Sequence, residues 1–547
     1  MDAEGNFDVV ILGTGLVESM TAAALSKAGF KVAHLDVNPY YGGDDASLSL
    51  DELARWADQR SSSEGNSDYL SAQRAKFTLL ERVGVYDREA GIKNVPGSKE
   101  DIFKSKEMSL VAKRRLMRFL MFAAGDFEGK NELEGKNEAP FVEFLRTVWS
   151  LDQQVSEAIA YALAFCVSPE DHTLPALLRM RHYLRSSGRY GSSPFLAGHY
   201  GGSGEIAQGF CRVSAVNGGV YILDRKVKSV TRSPQPQAQA QSASASDGGP
   251  ESNPAQNDRY TFELDDFPEP FTADFIISSS DLLPENLINE AFPLPSEGSA
   301  QPRSIARCIA IIDSPLQFPS VSLSEPATPP DEGEPGAETD TTETPTTSPA
   351  EKPVDTSVLI FPPSSLVGGS ETNAVQAFVT GEGNMSAPKG KYIVYLSLPL
   401  PEASPSTLSP ESMLEPYLEA ILSLTQSSPT PDVPIARKPL FTLYYIQHPS
   451  PPLRASPSAP TGAPPTVFVP PPIATGLTES ADAASVAAEA LFFKAIESHR
   501  ARHPEAWATP QVVGGETQIG SGGDVFEEIT AFWPPLADAE QDDVEGW

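Results

Sequence analysis

The chain has 547 residues with 73 acidic and 40 basic side chains, a formal net charge of −33. That charge excludes a broad nucleic-acid footprint, because neutralising phosphates needs a surplus of Lys and Arg. The length predicts two or more domains, since single cores stop growing near ~250–300 residues, while 51 prolines beside 40 glycines in a 40% hydrophobic chain predict that one part packs a core and another does not.

The first residues carry acids rather than an Arg/Lys region, and the apolar run Val9–Leu12 is too short for a secretory signal peptide. Phe7–Leu12 reads as a strand, Gly13-Thr-Gly15 as a tight turn, and the following residues through Ser26 as a helix. After Gly29 a second strand, Lys31–Leu35, ends at Asp36. This is the order of a Rossmann-type dinucleotide fold, in which glycines let a pyrophosphate approach a helix N-terminus and the acid after the second strand holds a ribose. The third glycine of the fingerprint is replaced by Glu18, whose carboxylate opposes an anion there. The preferred reading is therefore a degenerate turn: Gly13 and Gly15 shape the backbone and Asp36 bonds locally. His34, within the second strand, is expected to be a satisfied core or rim histidine.

A mainly helical block is expected from Asp101 to Ser187. Asp101–Phe122 shows apolar residues at helical spacings with Ser109 as a candidate N-cap, followed by helices at Phe141–Ser150, Gln153–Cys166 and Leu174–Ser186. Further strands are predicted at Val220–Leu223, Asp274–Ile277, Ala306–Ile312, Val375–Thr380, Tyr392–Leu398 and Thr442–Ile446. Residues 233–257, 325–355 and 448–465 are rich in Pro, Ser, Thr, Gln or acids and poor in large apolar side chains, so they are predicted as disordered inserts. The first is flanked by strand-like runs and is placed at a hairpin tip.

The fold class predicted is α/β: a large domain (1–100 and 188–535) interrupted by a smaller helical domain (101–187), with an acidic tail at 536–547. Cys166, Cys211 and Cys308 are too few and too widely spaced for a disulfide framework or a zinc site, which points to a reducing compartment. No nucleophile elbow, HExxH or P-loop occurs, and no run reaches the ~18 apolar residues of a membrane-spanning helix. Val544–Trp547 is no prenylation box. No catalytic residues and no metal ligands are predicted.

Two blocks carry a family resemblance. Asn38-Pro-Tyr-Tyr41-Gly-Gly43 after the second strand, together with Gly13–Ser19, and then Gly188–Phe195 with His199–Tyr221, which contains Gly-Glu205-Ile-Ala-Gln208-Gly-Phe-Cys-Arg212, resemble the Rab GDP-dissociation inhibitor and Rab escort protein superfamily. Asn94–Phe122, Phe141–Leu184 and the run Asp524–Pro534 are similar too. The resemblance implies an FAD-oxidoreductase-like large domain without flavin and a helical domain that holds a geranylgeranyl lipid. It implies Rab GTPases in the GDP form as partners, bound on a platform whose matching positions are Tyr41, Glu205, Gln208 and Arg212. On the residues alone, an internal Glu205–Arg212 ion pair and a packed Tyr41 remain the alternative. Val220 and Ile222, where inhibitors carry Thr and Met, are expected to be buried.

Phe210-Cys-Arg212, the run Asp101–Lys106, the length and the inserts resemble escort proteins, with fungal-like character. That implies a non-enzymatic subunit that presents Rab to the Rab geranylgeranyltransferase α/β heterodimer through Tyr183 and Arg189. Equally open on the residues is Tyr183 packing within its helix pair. Candidate prenyl-pocket linings lie in Leu116–Phe122 and Ala158–Phe165, where ordinary core is the alternative. A cytoplasmic protein with transient peripheral membrane contact follows from the same resemblance. Between residues 44 and 82 the family's basic-aromatic segment is absent, which leaves weaker Rab binding, substitution by Arg74, or an incomplete gene as readings. The alternatives for the whole chain are a plain Rab GDP-dissociation inhibitor, a flavin-dependent oxidoreductase, and a degenerate scaffold without Rab binding.

Overall fold

A computed structural model describes residues 5–61, 77–79, 82–87, 91–94, 109–187, 195–234, 258–267, 269–292, 303–318, 354–401, 409–425, 438–448, 453, 465–471, 476–507, 511–513, 516–518 and 529–533. Arg74, Lys106, Arg189, nearly all of the three inserts and the acidic tail lie outside them. The described part forms two compact units, one of residues 1–77, 198–304 and 448–547 and the other of residues 78–197 and 305–447.

In the first unit, β1 (Asn6–Leu12) leads through the glycine turn into α1 (Leu16–Lys27) and on to β2 (Val32–Leu35), and α2 (Leu50–Ser61) follows. The second unit contributes β3 (Phe77–Leu79), β4 (Arg82–Asp87) and β5 (Gly91–Asn94), with β3 at the border between the units. Its helices are α3 (Leu110–Ala124), α4 (Phe141–Thr147), α5 (Gln153–Ala158), which runs on as a π-helical turn at Ile159–Leu163, and α6 (Thr173–Ser186). After β6 (Leu196–Gly198) come α7 (Ser203–Val216), β7 (Val220–Ile222), β8 (Val227–Pro234), β9 (Asp258–Leu264), β10 (Phe271–Ser278) and α8 (Glu285–Ala291). The second unit resumes with β11 (Ile305–Ile312), β12 (Ser357–Phe361), β13 (Val375–Thr380), β14 (Tyr392–Pro399), α9 (Pro410–Ser423) and β15 (Phe441–Gln447). β16 (Val467–Phe468), α10 (Ser480–Arg502), β17 (Gln511–Val513) and β18 (Glu516–Gln518) close the chain order.

The first sheet runs β7-β2-β1-β10-β9-β8, with β16 added beside β10. Its centre is parallel, β2 with β1 and β1 with β10, and the fully apolar run Val9–Leu12 fits a strand covered on both faces. This is the Rossmann-type order expected from the βαβ start. β8 and β9, the strands on either side of the first insert, pair antiparallel, as a hairpin requires. α1 is buried from Leu16 through Ser26; α7 and α10 both pack on it, and its Ala22-Ala-Ala24 run permits that close double packing.

The second sheet runs β15-β11-β14-β13-β12-β4-β5. β12 shows why the helical block and this sheet form one unit. Val358 and Ile360 join the aromatic core of α3 to α6, whereas Leu359 and Phe361 join the core beneath α9. The helical block thus shares a core with a sheet. The observed unit therefore runs from 78 to 197 and takes in 305–447, rather than ending at the expected boundaries of 101 and 187.

Ser109 caps α3 as expected, its Oγ accepting from the Ala112 amide at 3.2 Å. Residues 101–108 lie outside the described set. α2 carries a reciprocal cap in which Ser49 N–H donates to Glu52 Oε2 at 2.7 Å and Glu52 N–H to Ser49 Oγ at 3.3 Å. All three cysteines are buried free thiols. Among the described residues no helix is long and apolar enough to cross a membrane, and no cluster of His, Cys, Asp and Glu is arranged to hold a metal.

Candidate functional site

The βα turn is built around Gly13, whose φ of +92° favours glycine and where a Cβ would stand 2.6 Å from Leu282 Cδ1, so that this side chain would have to move. Glu18 lies in the first turn of α1 and is buried, folding back so that its Oε2 would be 2.7 Å from a Cβ on Gly15. Burial, helped by the nearby Asp281, Asp36 and Asp45, pushes the Glu18 carboxyl up to about 7. Asp36, at the end of β2, accepts from Thr14 N–H at 2.8 Å and Thr14 Oγ1 at 2.6 Å on one oxygen. The other oxygen accepts from Asn38 N–H at 2.8 Å and Asn38 Nδ2 at 3.0 Å.

Four donors fill the roughly four lone-pair sites of a carboxylate, so no oxygen of Asp36 is left for a ribose. With Glu18 at the helix N-terminus, the residues present do not fit a dinucleotide. Thr14 Oγ1 in turn accepts from Gly42 N–H at 3.0 Å, so the acid and the turn together hold the 38–43 loop against the sheet.

His34 is fully buried, with Nε2 bonded to the Gly13 carbonyl and Nδ1 3.1 Å from the Tyr221 hydroxyl. Burial lowers its pKa to about 4, so the ring is neutral near pH 7. A neutral ring donating from Nε2 to a carbonyl must accept at Nδ1, which makes the Tyr221 hydroxyl the donor. The expected satisfied histidine is therefore a link in a chain, because Tyr221 meets Tyr41 edge-on at 5.6 Å between ring centroids.

α7 carries the remaining positions expected for the platform. Gly204, Ala207, Cys211 and Ser214 form its buried face on α1, where Ser19 Oγ lies 3.1 Å from Cys211 Sγ and Ser26 Oγ 2.8 Å from Ser214 Oγ. Glu205, Gln208 and Arg212, spaced by three and four residues, share another face; the first two are half-buried and Arg212 is exposed. Among the described residues Glu205 and Arg212 form no ion pair. Partial burial raises the Glu205 carboxyl above its ordinary value.

The loop with Tyr41 abuts the start of this helix. A Cβ on Gly42 would stand 3.3 Å from Gly204 Cα, and one on Gly204 would stand 2.5 Å from the Ser47 nitrogen and run into the Asp45 carbonyl. Glycine at 204 thus lets the 42–47 loop lie against the start of α7. Val220, expected to be buried, is 38% exposed because β7 is the sheet's edge strand, and Ile222 is half-buried. Thr14, Asn38 and Tyr221 were not singled out by the sequence, although an Asn two residues after an Asp signals the Asx turn found at Asp36–Asn38.

In the second unit Tyr183 is buried, edge-on to Phe195 at 5.1 Å. Its ring faces the core, the packed arrangement that the sequence left open beside transferase docking. Within the candidate prenyl linings, Leu116, Phe119, Phe122 and Ile159–Phe165 are likewise closed into the aromatic core. A groove of about 930 Å³ opens elsewhere on this unit, between the starts of α3, α4 and α5, lined by residues including Val111, Arg115, Val142, Arg146 and Val155.

The model of the GDP dissociation inhibitor family matches residues 1–80 and 69–240. The Saccharomyces cerevisiae protein named Rab proteins geranylgeranyltransferase component A is 26% identical over 438 residues, 71% of this chain and 61% of that protein. Rab GDP dissociation inhibitor beta of Rattus norvegicus is 31% identical over 256 residues, 41% of this chain and 57% of that protein. The chain thus spans about three fifths of the length of either relative. Among solved structures, Rab GDI from Plasmodium falciparum superposes with a TM-score of 0.54 at 18% identity, covering 90% of this chain and 98% of that one, a likeness of fold. Residues 1–240, where both signatures lie, are thus similar to the GDP dissociation inhibitor family.

Proposed function

We propose that the chain is a Rab escort protein: it binds Rab GTPases in the GDP form, presents them to Rab geranylgeranyltransferase for prenylation and delivers them to membranes from the cytoplasm. The observation that carries this reading is the open face of Glu205, Gln208 and Arg212 beside the Tyr41 loop, within the family-matched residues. Charged and amide groups around an aromatic fix the register of a protein partner and reject wrong ones. The name of the yeast relative, which matches over 71% of the chain, supports an escort role over plain extraction.

In this reading the chain is not itself an enzyme and holds no flavin. Glu18 and the saturated Asp36 support that. Tyr183, being buried, would act on transferase docking only by shaping the helices around it, and Arg189 lies outside the described residues.

The test is prenylation of a Rab·GDP by purified transferase α/β heterodimer with and without the chain. Strong stimulation is expected. No stimulation, with extraction of prenylated Rab from membranes retained, would transfer the chain to the inhibitors, a reading that the 31% identity to the rat inhibitor favours. Failure of both would leave a scaffold without Rab binding. Flavin absorption in the purified protein would overturn the cofactor-free reading.

A further inference from the structure

The outer face of α3 is unlike the rest of this chain. In a molecule of net charge −33, its 15 residues LVAKRRLMRFLMFAA contain four cations and no acid. At ~100° per residue, Leu110, Met121, Arg114, Arg118 and Val111 fall within an arc of about 100°. All five are exposed, Leu110 at 76%, Met121 at 68% and Val111 at 57%. The opposite face, Leu116, Phe119, Phe122 and Ala123, is closed into the core, so the helix has already buried one apolar side and shows a second.

Nothing among the described residues accounts for this second side. Arg115 donates to the Ser150 carbonyl at 3.0 Å, but among the described residues Arg114 and Arg118 have neither an ion pair nor a hydrogen-bond partner. A solvated helix face would carry acids beside its cations and would not expose a Leu, a Val and a Met among them.

We infer that this face docks on a membrane surface of anionic lipid. Four cations without an acid on one helix are complementary to a plane of anionic headgroups, and Arg114, Arg118 and Met121 are not among the residues that line the groove beside Val111 and Arg115. Long arginine stems place guanidinium groups at lipid phosphates while Leu110, Val111 and Met121 enter the acyl boundary. The attraction needs no Rab, so it stands apart from the escort reading, and it gives an acidic protein one surface with which to approach an acidic membrane.

The test is co-sedimentation of the full chain with vesicles of phosphatidylcholine alone and of phosphatidylcholine with roughly a third phosphatidylserine. Binding to the anionic vesicles only is expected, weakening as salt rises from ~0.05 to ~0.5 M. Each arginine is worth about fivefold near such a surface, so R114Q/R118Q should bind roughly 30-fold more weakly. Both side chains are exposed, so the variant should melt with the wild type and bind Rab·GDP in solution equally well. Equal binding to both vesicle types, or wild-type binding by the variant, overturns the inference. So does a variant that fails only to assemble with the transferase, which would assign the face to a protein.

Discussion

The carboxylate of Glu18 folds back over Gly15, its Oε2 2.7 Å from where a Cβ on that glycine would stand. The helix N-terminus is thus covered by the chain's own acid, and the two glycines of the turn have different reasons to be there. Gly15 has φ −60°, open to any residue, and its neighbour is the movable end of a side chain. Gly13 has φ +92° and Leu282 against it. Gly13→Ala should cost about 1–2 kcal/mol from backbone conformation, with the clash added, and Gly15→Ala well under 1 kcal/mol. Thermal melts of the two variants decide this, and equal losses would refute it.

Titration of the buried groups gives a second prediction. Glu18 moves from 4.5 to about 7 on folding, so the folded chain keeps a proton that the unfolded chain releases, and this contribution falls as pH rises through that window. His34 and His499 move from 6.5 to about 4 because burial disfavours their charged forms. Their contribution is full above pH 6.5 and falls as pH drops toward 4. At His499 the loss has a structural cause, because Nδ1 accepts from Trp507 Nε1 at 3.0 Å and protonation removes the acceptor. Glu18→Gln should therefore make the protein more acid-labile relative to its stability at neutral pH, and His499→Gln less so, each on the order of 1–2 kcal/mol. Melting temperatures between pH 5 and 8 would show the two variants tilting in opposite directions; parallel curves would count against the assignment.

Much of this was legible in the sequence where local chemistry dictates structure. The βαβ start, the Ser109 cap and the hairpin around residues 233–257 follow from glycines, a cap and flanking strand patterns, and the structure places the corresponding elements there. The joining of the helical block to the second sheet was not legible, because β12 reads simply as an apolar run. Only the fold shows that Val358 and Ile360 belong to one core and Leu359 and Phe361 to another. The site divides in the same way. The acid at Asp36 was visible, but its saturation by Thr14 and Asn38 depends on a loop returning to the turn, and the exposure of Val220 depends on which strand ends the sheet.

Tyr183 gives a prediction that separates packing from contact. With its ring buried against Phe195, Tyr183→Ala should open a cavity and cost about 3–5 kcal/mol. The loss should register first as a lower melting temperature of the helical unit. A variant with wild-type stability that selectively fails to assemble with the transferase would instead make the tyrosine a direct contact.

The platform itself is tested by the independence of its charges. Glu205 and Arg212 lie seven residues apart on one face of α7 and form no ion pair among the described residues. Removing either should therefore leave no buried charge uncompensated. Glu205→Ala and Arg212→Ala should each change stability by less than about 0.5 kcal/mol, and the double variant should equal their sum. Binding of Rab·GDP should respond differently, falling about 5- to 30-fold for each variant, since a contact to a charged partner group is worth about 1–2 kcal/mol. Melting curves and titration of a fluorescent Rab·GDP across this double-mutant cycle separate the cases. Coupled stability losses with unchanged Rab affinity would make the pair structural and move the platform elsewhere.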